Sequence, residues 1–260
     1  MMKKTFLLVM ALMLVMLSVV CTSQYAGAAD EGRTPFYVGA GTGISWRGPA
    51  DDNSAKTSFD TGVELTGAFG VRLEGLENKI LQNLRIELEY ARQFDGNKSV
   101  EIHAMKNKIE DASGRIDFET YTAVIYYDLP FRKLAPSTTG FASHLSPYVG
   151  LGFGFGRSIL KDLSSTSLDY WANMPTSQGG LSKNGAGYHL NTSTDFVYVI
   201  SPRFGVTYEI SKHLDVYMGA KYSKANKVLV DAYGSSSPNG AWNRCNVNIW
   251  DAQVGLRYNF

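Results

Sequence analysis

Apolar and polar residues alternate with a period of two in eight separate stretches of the chain. That is the beat of a β-strand, whose successive side chains point to opposite faces. In the first stretch Phe36, Val38, Ala40, Thr42, Ile44 and Trp46 share one face, while Tyr37, Gly39, Gly41, Gly43 and Ser45 share the other. In the second, Phe59, Thr61, Val63, Leu65, Gly67, Phe69 and Val71 alternate against Glu64, Thr66 and Arg72. Leu84, Ile86, Leu88 and Tyr90 oppose Arg85, Glu87 and Glu89, and Tyr121, Ala123, Ile125, Tyr127 and Leu129 oppose Thr120, Thr122 and Asp128. The fifth stretch, YVGLGFGFG at 148–156, puts glycine at every second position. A phosphate-cradling loop needs irregular glycine spacing at a helix N-terminus, so this regular beat predicts a strand with one bare face. Phe196, Tyr198, Ile200, Phe204, Val206 and Tyr208 then face away from Arg203, Thr207 and Glu209. Leu214, Val216, Met218, Ala220 and Tyr222 oppose Asp215 and Lys221, and Trp250, Ala252, Val254, Leu256, Tyr258 and Phe260 oppose Asp251, Gln253, Arg257 and Asn259.

Several of these stretches approach the roughly 9–11 residues that a tilted strand needs to cross hydrocarbon. One segment also reads as an amphipathic helix: in LENKILQNLRIELEYAR, Leu76, Ile80, Leu84 and Leu88 recur at a spacing of four. The clean alternation from Leu84 to Tyr90 favours a strand for its second half. Periodicity alone does not separate a soluble β-protein from a membrane barrel; three other features do. Aromatic residues gather at the ends of the apolar faces, with Trp46, Tyr90, Tyr222 and Trp250 at one end and Phe36, Tyr127, Tyr208, Tyr258 and Phe260 at the other. Rings form such belts at membrane interfaces. The polar faces carry Glu64, Arg85, Glu87, Glu89, Arg203, Lys221, Asp251 and Arg257 near mid-strand, and inside a closed barrel such charges must pair. The connections at 47–58, 95–115, 157–194 and 224–245 are long and polar, whereas 72–82, 130–146 and 210–213 are shorter, the asymmetry of outer and inner loops.

Residues 1–29 carry Lys3 and Lys4, an apolar run and the small residues Ala26-Gly27-Ala28-Ala29, the layout of a cleaved secretory signal peptide. A retained anchor helix is the alternative. Val20 ahead of Cys21 argues against lipoprotein processing. Domain organisation is therefore a signal at 1–29 and one β domain at 30–260. The mature chain keeps Cys245 as its sole cysteine and has no internal disulfide. Net charge is +1 for the whole chain and −1 without the two signal lysines, which gives nucleic acid no basic surface. Nor does the 95–115 loop form a polybasic patch, since Asp95, Glu101, Glu110 and Asp111 balance Lys98, Lys106, Lys108 and Arg115.

The terminal WDAQVGLRYNF resembles the C-terminal assembly signature of Gram-negative outer-membrane barrels, with Leu256, Tyr258 and Phe260 in the outward phase. PFYVGAGTGISW, LRIELEYARQF, SPYVGLGFGFG and the pair SPRFGVTYEI and LDVYMGAKYS resemble the porin-like family of small barrels that includes OmpA-type barrel domains, OmpX and opacity-type surface proteins. The resemblance spans the mature chain. It implies an eight-stranded antiparallel up-and-down transmembrane β-barrel in the bacterial outer membrane, in contact with its lipids and lipopolysaccharide. It also implies assembly by periplasmic chaperones and the barrel-assembly machinery. Fold alone does not imply one activity.

Eight strands leave an interior that side chains can fill, so Gly150, Gly152, Gly154 and Gly156 are expected to make room for long charged groups from other strands. A ten-stranded barrel requires a hairpin hidden in 157–194. Three function classes remain: a plugged barrel that displays outer loops to a host or surface ligand, a narrow porin selective through its lumen charges, and a lipid-modifying enzyme. For the last, His144-Leu145-Ser146 has the H-x-S spacing of barrel lipid A deacylases, but falls at the predicted inner end. No cofactor is expected, and no His/Cys cluster has metal-ligand spacing.

Overall fold

The computed structural model of the protein describes residues 34–51, 55–73, 78, 80–102, 107–109, 113–129, 144–178, 196–229 and 244–260. The segment read above as a signal peptide and parts of the expected loops lie outside the described residues. Eight long strands close on themselves: β1 (Phe36–Arg47), β4 (Gly62–Arg72), β5 (Leu84–Ile102), β7 (Ser113–Asp128), β8 (Leu145–Ser164), β9 (Phe196–Ser211), β10 (Leu214–Leu229) and β11 (Arg244–Asn259). Each pairs antiparallel with its sequence neighbour, and β1 pairs with both β4 and β11, which abolishes any free edge. Closure leaves every ladder satisfied internally, the condition for a β-structure to cross a bilayer. Near the chain terminus Thr34 donates its N–H to the Phe260 carbonyl at 2.8 Å.

The stagger follows from the register. Val38 pairs with Phe69, and the row continues through Leu88, Ala123, Phe153, Ile200, Lys224 and Asn248. It returns to β1's chain at Gly48, ten residues from its start, where the Gly48 N–H meets the Asn248 carbonyl at 2.8 Å. A closed barrel must tilt its strands to accommodate such a shear. Phe36 and Trp46 are ten residues apart on β1; at about 3.3 Å per residue and a tilt of about 40°, the rings stand roughly 25 Å apart along the normal, the height of an outer-membrane apolar band. Burial follows the sequence alternation. Along β11 the even positions from Trp250 to Phe260 face out and the odd ones from Asp251 to Asn259 face in.

The strands run further outward than the alternation implies. β5 continues to Ile102 and β8 to Ser164, into the expected loops, and short strands β2 (Ala50–Asp51), β3 (Ala55–Phe59) and β6 (Asn107–Ile109) extend the ladder at that end. Above the hydrocarbon both faces of a strand meet water, so pairing persists after the hydrophobic alternation has stopped. The 157–194 region holds no extra stave among its described residues. It carries helix α1 (Thr166–Asn173) and a 3-10 turn at Thr176–Gln178, so the barrel has eight staves. The helical signal in LENKILQNLRIELEYAR yields only the 3-10 turn Leu81–Asn83 before β5 begins at Leu84. Val71, expected on the outer face, is fully buried.

Candidate functional site: a filled lumen

Three layers of side chains fill the lumen. At mid-height, Lys221 on β10 reaches Glu64 on β4, Asp251 on β11 at 3.7 Å and Glu89 on β5 at 3.8 Å. Gln93 ties Glu64 and Asp251 together, donating to them at 2.9 and 3.0 Å. Beside this group Arg203 forks onto Glu89, with contacts of 2.5 and 2.9 Å, and also donates to the hydroxyls of Tyr126, Thr122 and Ser201. The fork geometry matches a carboxylate bidentately, the strongest arrangement for an ion pair out of water.

The layer toward the inner end is built on arginine and tyrosine. Arg85 bridges Glu87 at 3.1 Å and Asp128 at 3.0 Å, and its guanidinium carbon lies 3.7 Å from the Tyr126 ring centroid. Tyr37 donates its hydroxyl to Glu87 at 2.9 Å, and Arg257 lies over the Tyr37 ring. Asp215 gathers Arg72 at 2.6 Å, Arg257 at 3.7 Å and the Asn259 amide at 3.2 Å. Below them opens a polar recess of about 240 Å³, whose lining includes Arg72, Asp128, His144, Ser146, Asp215 and Arg257.

At the outer end Arg47 meets Asp95 at 2.5 Å and rests against Phe59 and Phe118. Next to it the lumen turns apolar, with Phe118, Val197, Val199, Ala225, Val247 and Ile249 packed as one buried cluster. An apolar layer offers an ion no substitute for its hydration, so it opposes passage more strongly than the charged layers do.

All eight charged residues singled out in the sequence, Glu64, Arg85, Glu87, Glu89, Arg203, Lys221, Asp251 and Arg257, are buried and inward-facing. Sequence reasoning passed over Arg47, Asp95, Arg72 and Asp215 as partners, although Arg47 and Asp95 continue the inward phase of Ser45 and Gln93. The glycines need a correction. A methyl group on Gly150 would lie 2.5 Å from the Tyr126 ring, one on Gly156 would lie 2.6 Å from Phe118, and ones on Gly205 and Gly219 would each lie 2.5 Å from the Tyr148 hydroxyl. The bare faces thus receive mainly rings, with charge approaching at Gly152, 3.4 Å from the Arg203 guanidinium, and at Gly62 on β4, against the Asp95 carboxylate. Tyr37, Tyr126 and Tyr148 sit in the polar phase of their strands, and a phenol on that phase was the available signal.

The interface aromatics divide into two rings. Trp46 pairs with Trp250 across the β1–β11 seam, Tyr222 packs on Trp250 at 4.8 Å, and Tyr90 packs on Tyr121 at 5.2 Å, with Phe155 and Tyr198 completing the outer side. Phe36 stacks on Phe69 and Tyr258 meets Phe260 at the inner side, where His213 packs on Tyr258 and His144 on Tyr208. Tyr127 lies at the same end of β7. His144 is exposed there, engaged with a ring. Among the described residues no three His, Cys, Asp or Glu side chains are grouped to hold a metal ion.

The family model of the outer membrane protein β-barrel domain matches residues 12–260. The chain belongs to this family. No curated protein sequence matches this outer-membrane barrel. Among solved structures it is similar to the outer membrane protein OprG from Pseudomonas aeruginosa, with 17% identity, a TM-score of 0.52, and coverage of 88% of this chain and 97% of that one. It is also similar to Neisserial surface protein A, with 15% identity, a TM-score of 0.47, and coverage of 88% and 100%. Likeness at such identities is a likeness of fold, and it agrees with a barrel resident in the bacterial outer membrane.

Proposed function

We propose that this outer-membrane barrel is a plugged scaffold that presents its outer strands and loops to surface ligands, with neither a solute channel nor an enzyme site in its lumen. The observation that carries the reading is the uninterrupted filling of the lumen, from the Arg85, Tyr126 and Tyr148 layer, through Lys221 and Arg203, to the apolar layer at Phe118 and Ile249. Eight-stranded barrels have room only for such filling. The recess is lined by residues of the inner strand ends, His144 among them, away from the outer leaflet. A host or surface ligand would meet the polar outer loops, while outer-membrane lipids and lipopolysaccharide would surround the wall. Leu256, Tyr258 and Phe260 face outward beside the closure seam, where an assembly machine and periplasmic chaperones would read an incoming β11.

The test is single-channel recording on the refolded mature protein in a planar bilayer, with insertion verified by heat-modifiable gel migration. A silent bilayer is expected. Steady openings whose ion selectivity changes with Glu87→Gln or Arg203→Gln would replace this reading with that of a narrow porin.

A further inference from the structure

A second set of charges lies on the outside of the wall, where a membrane barrel has no need of charge. Tyr90, Tyr121, Phe155 and Tyr198 form one outward-facing row across β5, β7, β8 and β9, and this row belongs to the outer aromatic ring. One step further out, the next row reads Arg92, Glu119, Arg157 and Phe196. Beyond it come Phe94, Asp117 and Ile159, and Arg115 follows on β7. Aromatic rings settle at the headgroup level, so these charges begin where the hydrocarbon ends on the outer side.

The cluster is layered. Asp117 and Glu119 are buried against the wall, with side-chain exposures of 0% and 5%, while Arg92, Arg157 and Arg115 cover them at 30%, 33% and 51%. Asp117 holds Arg92 at 2.6 Å and Arg115 at 2.8 Å. Glu119 holds Arg157 at 2.6 Å and Arg92 at 3.5 Å. Arg92 and Arg115 also lie over the Phe94 ring, at 5.0 and 5.5 Å. A guanidinium carries five N–H donors, and the carboxylates engage two on each arginine. Three cations over two anions leave one net positive charge, and the partly exposed guanidiniums of Arg157 and Arg115 keep donors beyond those two for the headgroup layer. The buried acids and the ring spread the three guanidiniums over the wall and fix them there, which removes the ordering cost of recruiting loose side chains.

We propose that Arg92, Arg157 and Arg115 form a site for the phosphate groups of an anionic glycolipid of the outer leaflet, of the phosphorylated lipid A type. A phosphomonoester at neutral pH carries a charge of about −1.5 to −2 and three acceptor oxygens, and it suits arginine bidentately. The acyl chains of the same molecule would run down past Tyr121, Phe155 and Phe153, all on the outer face. A source in solution fits less well, because the cluster stands directly on the aromatic ring, in line with the lipid-facing rows below it. This assignment needs only the outward end of the barrel, and stands whether or not the loops bind a partner.

The test reconstitutes the full mature barrel in phosphatidylcholine vesicles containing either lipid A with both phosphates or the same glycolipid with its phosphates removed. Native mass spectrometry then counts the glycolipid retained on extraction. Retention of the phosphorylated form is expected to exceed that of the other by about tenfold. Arg115→Gln is expected to lower it several-fold, and a neutral wall carrying R92M, R115Q, D117N, E119Q and R157M to abolish the preference. That second variant leaves no buried carboxylate unpaired, so it is expected to fold, as heat-modifiable migration would verify. Equal retention of the two glycolipids by the natural protein, or unchanged preference in the folded neutral variant, would overturn the proposal. So would displacement by inorganic phosphate as effective as by phosphorylated lipid A, because the site would then serve a soluble anion.

Discussion

Replacing Arg203 with methionine is expected to lower the stability of the barrel by about 3–5 kcal/mol, because it leaves the buried Glu89 without its fork partner. Arg203 is 3% exposed and gives hydrogen bonds to Glu89, Tyr126, Thr122 and Ser201, so one deletion takes the fork from a carboxylate and a donor from three hydroxyls, of which Tyr126 keeps Glu87 and Ser201 keeps Ser223. Lys221, 3.8 Å from Glu89, absorbs part of the loss and already serves Glu64 and Asp251. The measurement is reversible urea unfolding in lipid vesicles, with the midpoint and slope converted to free energy. The paired change R203M with E89M is expected to recover most of the deficit, since two apolar groups of similar volume need no partner. That recovery would make the coupling between the two residues the source of the effect. A near-neutral Arg203→Met would mean that water reaches mid-lumen and solvates Glu89, and the plugged reading would fall with it.

The sequence carried the staves well and their companions poorly, for a physical reason. Hydrocarbon on one side and a filled lumen on the other force strict alternation, so Val38 to Trp46 or Trp250 to Phe260 announce their faces unaided. Alternation assigns a side chain to a face but says nothing of its height in the barrel, and pairing depends on height. Lys221 was legible as inward, but its meeting with Glu64, 157 positions away, follows from the ten-residue stagger, which no local pattern encodes. The same limit hid the tyrosines, since Tyr126 and Gly150 are cross-strand partners only once the β7–β8 register is known. The outer Arg92 cluster was missed for the opposite reason. The outward phase Leu88, Tyr90, Arg92, Phe94 does not break, but its chemistry changes at the headgroups, where a hydrophobic pattern stops looking like a strand.

Gly154→Ala and Gly67→Ala are expected to move stability in opposite directions, although both add one methyl group to a β-stave. On β8, a Cβ at Gly154 would collide with the Tyr121 carbonyl oxygen and lie 2.7 Å from the Thr122 Cα, both backbone atoms of β7. Backbone locked in a ladder on both sides cannot yield as a flexible side chain would, so the strands must separate locally, at a loss of about 1–3 kcal/mol. Gly67 lies on the outward face of β4 between Leu65 and Phe69, and a Cβ there meets nothing within 4 Å. Its replacement restricts the unfolded chain without straining the folded one, for a gain of about 0.4–1 kcal/mol. The same vesicle-based urea titration reads both signs. Equal, small effects at the two sites would mean that β7 and β8 stand further apart at Gly154 than the register implies. A loss at Gly154 with a gain at Gly67 would instead make the alternating glycines of YVGLGFGFG a packing device, which draws the neighbouring strand in close at Gly154 and admits the rings of Tyr126 and Phe118 beside Gly150 and Gly156.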